Sequence, residues 1–165
     1  MVQTKKSTRS ISSKEITRSW HLIDLKDKVL GREIPRISEL LQGKHKVNYV
    51  PYLDNGDFVV VINSTLVKVT GKKESQKEYT YYSGFPGGLR EVTYKEMMKK
   101  NPNEIIRHAV SGMLPKNKLR DVRLSRLLIF TGEHHSHTDK FNQTSQNHPE
   151  QSEGSISRDS STNTE

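Results

Sequence analysis

Glu133, His134, His135 and His137 place four metal-capable side chains within five positions, and imidazole with carboxylate is a donor set that zinc accepts. They follow an apolar run in a turn-like segment, and no second ligand cluster stands near them in the linear sequence. Contact with a polyanion is the preferred use of His134 and His137, and no metal is expected there. Asp54 and Asp57 have the spacing of an acid/base pair. Their setting, DNGD ahead of a β-branched run, is that of a turn followed by a strand start, which favours a structural task. The sequence has no cysteine, no G-x-S-x-G and no H-E-x-x-H. Disulfides, thiol catalysis, a serine nucleophile elbow and a zincin site are thereby excluded, and no catalytic residue is assigned.

Glycine marks two further candidates. Gly84-Phe85-Pro86-Gly87-Gly88 follows Tyr81 and Tyr82. Bare backbone beside aromatic rings suits phosphate cradling or base stacking. The spacing G-x-x-G-G is not the G-x-G-x-x-G of dinucleotide folds. Gly71-Lys72 is no P-loop, because Leu66 stands where its first glycine belongs and Lys73 where a serine or threonine belongs. Neither a cofactor nor a small-molecule substrate is expected. Basic side chains gather at the ends of elements: Lys44, His45 and Lys46 after Gly43, Lys72 and Lys73 after Gly71, Lys99-Lys100, and Lys116, Arg120 and Arg123 within the segment from Lys116 to Arg126. Cations on turns reach the phosphates of an irregular RNA surface, so lysines are assigned to phosphates, glycines to close backbone approach and histidines to sugar, phosphate or base edges.

The totals agree with a polyanion partner. In 165 residues the net charge is +8 with a sequence pI of about 9.6. Residues 1–18 carry five basic side chains against Glu15, whereas residues 138–165 carry two against five acidic ones, so the positive field belongs to the arm and the middle. No apolar run approaches the roughly 20 residues of a membrane span, so no membrane partner is expected. The first residues, MVQTKKSTRSISSKE, lack a secretory core and read as a basic arm, with a faint likeness to an organelle transit peptide. From Thr138 onward large apolar side chains nearly vanish, which predicts a disordered, acidic and polar tail.

Between arm and tail, residues 19–137 alternate strand and helix patterns. Trp20 to Leu25 and the β-branched run Asp57 to Asn63 read as strands, the latter buried on both faces. Leu66 to Thr70, Glu78 to Tyr82 and Leu127 to Thr131 read as further extended segments. Leu30, Ile34, Ile37, Leu40 and Leu41 have helical spacing ending at Gly43, with Pro35 tolerable if the helix starts near Ile34. Thr93 with Glu96, and Asn101 with Glu104 and Pro102, open two more helices, and Leu119 to Leu127 suggests another. Alternating strands and helices predict an α/β fold with a mostly parallel central sheet.

In order, W-H-L-I-D, V-L-G-R, L-L-Q-G-K-H-K, Y-V-P-Y-L-D-N-G-D-F-V-V-V-I-N, V-T-G-K-K, Y-Y-S-G-F-P-G-G-L, A-V-S-G-M-L-P-K-N and F-T-G-E-H-H-S-H closely resemble the bacterial-type L-thirteen family of large-subunit ribosomal proteins over about residues 19–137. The resemblance implies a three-layer α/β/α fold, binding to large-subunit ribosomal RNA, neighbouring ribosomal proteins as partners, a role in early subunit assembly and no catalysis. It implies a place in the ribosome, in the cytoplasm or an organelle. Lys44, His45, Lys46, Gly84, Gly87, Gly88, Pro115, Lys116, His134 and His137 stand at its motif positions. This chain departs from it at Glu33-Ile34-Pro35 and at Asn117 to Asp121, where relatives commonly carry alanine and glycine. A free RNA-binding translational regulator is the competing class, separable by whether the chain sediments with the large subunit. A nucleotide-using enzyme on the same fold lacks its motifs.

Overall fold

The computed structural model describes residues 12–142. The parallel sheet has the order β1-β2-β5, with β1 at Trp20–Asp24, β2 at Phe58–Ile62 and β5 at Leu127–Ile129. The register sets Trp20 beside Phe58 and Val59 beside Leu127. Parallel pairs need crossover connections, and helices supply them here. These are α1 at Leu30–Gln42 after β1, and α3 at Tyr94–Lys100, α4 at Pro102–Met113 and α5 at Leu119–Leu124 before β5.

Period-two alternation sorts the strands. Ile23, Val59, Val61 and Leu127 belong to the main core with Ile37 and Leu41 of α1 and Ile106 and Val110 of α4. On the other face, Trp20 stacks on Phe58 with ring centroids 4.4 Å apart, while Leu22 keeps 46% of its surface exposed. That face is covered in part by the short helix α6, Thr138–Asn142, whose Phe141 meets Trp20 edge-on at 6.3 Å. The helix occupies the first positions of the segment expected to be a tail. Thr138 caps no apolar stripe, so only tertiary contact through Phe141 marks it. The arm before Ser12 and the segment after Asn142 lie outside the described residues.

Three elements differ from expectation. Helix α1 starts at Leu30 and contains Pro35. Its first N–H, that of Leu30, donates to the Lys68 carbonyl at 2.9 Å, and Val29 bridges Lys68 in a single parallel pair. That tertiary anchor fixes an earlier start than local propensity suggests. The segment from Leu66 to Thr70 is correspondingly a 3-10 turn, Ser64–Leu66, followed by that one bridge. Finally, β3 (Glu78–Tyr82), which follows the short helix α2 (Lys73–Gln76), joins no parallel sheet. It pairs antiparallel with β4, Leu89–Thr93, in a separate hairpin closed by the glycine loop. The alternating charges of Leu-Arg-Glu-Val-Thr hide β4 from a search for apolar runs. Gly84 and Gly87 sit at φ 86° and 70°, the left-handed values that a tight hairpin turn requires. Among the described residues no helix is long and apolar enough to cross a membrane.

Capping behaves as the sequence indicates where side chains are free to act. Thr93 and Glu96 form the reciprocal capping box at α3, and Pro102 occupies the first turn of α4. Asn101 makes no side-chain cap, its carbonyl accepting the Glu104 N–H instead. Gly43 terminates α1 at φ 76°, donating its N–H back to the Glu39 and Leu40 carbonyls.

Candidate nucleic-acid interface

The turn Asp54-Asn55-Gly56-Asp57 is the fulcrum on which the first basic loop is mounted. Gly56 lies against the end of α1 so closely that a Cβ there would sit 1.8 Å from the Leu41 carbonyl oxygen. The Asp57 N–H donates to the Leu40 carbonyl at 3.1 Å, and the Asn55 side-chain amide donates to the Asn48 carbonyl at 2.7 Å. Both carboxylates then face inward. Asp54 accepts a bidentate pair from Arg126, and lies 3.6 Å from both Arg18 Nη2 and Arg123 Nε. Asp57, fully buried, accepts from the Ser19 N–H at 3.0 Å, from Lys46 Nζ, and from His21 Nε2 at 2.9 Å, with His45 Nε2 at 3.0 Å. A structural use of both aspartates, expected from their turn context, fits these contacts.

Two expected RNA contacts have partners within the molecule. Lys46 sends its ammonium inward to Asp57, and also donates to the Thr17 and Asn55 carbonyls at 2.7 and 3.0 Å. Desolvation would disfavour burying Asp57 alone, and the ammonium is its counterion. Arg123 is only 1% exposed and lies within the molecule beside Asp54. The sequence read it as a surface cation because Lys118, Arg120 and Arg126 surround it. Arg120 is half-buried and donates to Ser111 Oγ.

The remaining candidates are accessible. Lys44, Lys72, Lys73, Pro115, Lys116 and His134 are exposed, and Gly84 and Gly87 lie open at the hairpin tip with Phe85. Gly88, half-buried, could carry no Cβ without meeting Ser83 Oγ at 2.0 Å. His137 is half-buried, its ring 5.3 Å from Trp20 and 6.2 Å from Phe130. A shallow groove lined by Pro35, Ser38, Glu39, Gln42, Lys44 and Met113 connects the end of α1 to the end of α4. It brings Lys44 to the same pole as Pro115 and Lys116. His134 follows β5, and three residues on His137 lies against Trp20, whose register partner Phe58 opens β2.

The ordered motifs find their match in a family model described as Ribosomal protein L13, which covers residues 18–136. The chain belongs to the ribosomal protein L13 family. Proteins named "Large ribosomal subunit protein uL13" from Clostridioides difficile and Rubrobacter xylanophilus are each 50% identical to it over 123 residues, 74% of this chain and 86% of theirs. The protein of that name from Streptomyces griseus is 47% identical over 123 residues, 74% of this chain and 84% of its own. Membership in the L13 family makes the chain a structural component rather than an enzyme, as its lack of a catalytic constellation led us to expect. The matched span of the L13 family ends before α6, so the Phe141 contact on Trp20 is an addition to the matched domain.

Electrostatics of the fulcrum lead to a pH prediction. Burial pushes the Asp57 carboxyl pKa up, but the donors His21, Lys46 and Ser19 outweigh it and hold it at about 2 against an ordinary 3.8. A group whose folded pKa is depressed contributes stability above its unfolded pKa and loses it as pH falls through the folded one. Asp57 should contribute about 2 kcal/mol at neutral pH, lost between about pH 4 and pH 2. Urea unfolding across that range should show wild type losing this increment and Asp57→Asn not losing it; parallel curves would contradict the assignment.

Proposed function

We propose that this chain is a structural constituent of the large ribosomal subunit, binding large-subunit ribosomal RNA and supporting early subunit assembly. The observation that carries the reading is the family match across nearly the whole described domain, joined to the set of cations left unspent by internal pairing. Lys44, Lys72, Lys73 and Lys116 serve as phosphate contacts, His45 and His134 as contacts to sugar, phosphate or base edges, and Gly84, Gly87 and Gly88 as places of close backbone approach. Arg120, Pro115 and His137 support the interface from its edges, while Lys46 and Arg123 hold the fulcrum beneath it. A three-layer α/β/α arrangement belongs to the same reading. Neighbouring large-subunit ribosomal proteins are the protein partners, and a cytoplasmic ribosome is the location proposed, reached by a basic arm and trailed by a polar tail.

Sedimentation tests this reading. The chain should stay with large subunits through a high-salt wash that strips loosely held factors, whereas recovery only in free or messenger-bound fractions would favour a translational regulator. With purified large-subunit RNA, Lys44→Ala and Lys116→Ala should each weaken binding by about 1 kcal/mol or more and lower the slope of log affinity against log salt by about one. An unchanged slope would remove that lysine from the phosphate contacts.

A further inference from the structure

The fulcrum gathers two imidazoles around one buried carboxylate. The two oxygens of Asp57 are differently engaged: Oδ1 takes the Ser19 N–H at 3.0 Å and the Lys46 ammonium, whereas Oδ2 faces His21 Nε2 at 2.9 Å and His45 Nε2 at 3.0 Å. All three donor atoms lie within 4.8 Å of one another. They come from β1, from the loop after α1 and from the turn before β2, so the sequence separates by 36 positions two groups that the fold makes neighbours. Linear spacing, which had drawn attention to His134 and His137, could not show them.

Geometry favours a metal centre here. Zinc bonds of about 2.0–2.1 Å in a tetrahedron space their donors roughly 3.3 Å apart, so the two nitrogens need retreat from Oδ2 by only a few tenths of an ångström. The carboxylate is already restricted to monodentate use, because Lys46 and Ser19 hold its other oxygen as outer partners that fix ligand orientation. Each imidazole becomes a neutral Nε2 ligand when its proton sits on Nδ1. The His21 and His45 side chains are 31% and 32% exposed, which gives an ion a path in and leaves a fourth position for water.

We propose that His21 Nε2, His45 Nε2 and Asp57 Oδ2 bind one divalent transition-metal ion of the zinc class. The inference stands on this cluster alone and does not depend on the ribosomal reading. The nearby Lys46 charge lowers affinity, so dissociation in the micromolar range is expected rather than tighter binding. Bound metal ties the Gly43 to Lys46 loop to β1 and thereby stiffens the mount of Lys44.

The full chain, treated with chelator and dialysed, is titrated calorimetrically with zinc chloride at neutral pH and, in parallel, with cobalt(II) followed by visible absorption. One equivalent should bind, cobalt should show the intense visible bands of a tetrahedral site, and zinc should raise the melting temperature. His21→Gln and His45→Gln keep an amide N–H toward Asp57, so folding is retained while affinity falls at least tenfold and the cobalt bands disappear. Circular dichroism of both variants verifies the fold. Binding of less than a tenth of an equivalent would overturn the proposal. So would full binding retained in both variants but lost in a His134→Ala/His135→Ala/His137→Ala chain, which would move the ion to the segment after β5.

Discussion

Asp54→Ala should lower the unfolding free energy by about 3–5 kcal/mol, because it strands two interior guanidinium groups without their shared counterion. Arg126 is 5% exposed and Arg123 1%, and Asp54 is the carboxylate that both approach. Arg123 Nε and Nη2 and Arg126 Nε have no hydrogen-bond partner among the described residues, which leaves little to soften the loss. Removing one partner of a buried pair costs far more than replacing the pair, since desolvation of the remaining charge goes uncompensated. In the Asp54→Ala background, Arg126→Met should therefore recover part of the stability. Urea unfolding followed by far-ultraviolet dichroism reads both steps. A loss below about 1 kcal/mol would show that the guanidiniums are solvated and that the pairing carries little energy.

Gly56→Ala should be comparably severe for a different reason. The added methyl would lie 1.8 Å from the Leu41 carbonyl oxygen, 2.6 Å from its carbon and 2.9 Å from Arg126 Nη2. Two of these three atoms are backbone, which no rotamer change can move. The turn must separate from the end of α1, and the Asp57 N–H to Leu40 bond and the Arg126 to Asp54 pair go with it. Overpacking of this kind costs about 1–3 kcal/mol when side chains can yield, and more is expected here because they cannot. Gly31→Ala is the internal comparison, since no atom lies within 4 Å of its added Cβ. It should leave stability unchanged or slightly raised, as alanine favours a helix interior. Equal melting temperatures for Gly56→Ala and wild type would mean that the contact is relaxed in solution.

Much of the fold is legible because its strongest signals are local. The run Phe58–Ile62, the Thr93 box, Pro102 and the glycine stop at Gly43 each specify their element through their own neighbours. What escapes notice is decided by partners distant in sequence. Arg126 and Asp54 are 72 positions apart, so a basic side chain between α5 and β5 looks like surface until its carboxylate arrives. Lys46 resembles Lys44 in every local respect, and only the closing of β1 onto β2 turns it inward. The start of α1 depends on Lys68, and β4 depends on β3 across a glycine turn. For the interface, residue type indicates the partner's chemistry, whereas the choice between surface contact and buried counterion requires three dimensions.

The four-residue bend from Asp54 to Asp57 meets the two interior arginines with its first carboxylate and the lysine and histidine that follow α1 with its last. Inside and outside thus share a single hinge pin, so a change made to suit one is felt by the other, and the strip of chain that carries Lys44 takes its firmness from the interior.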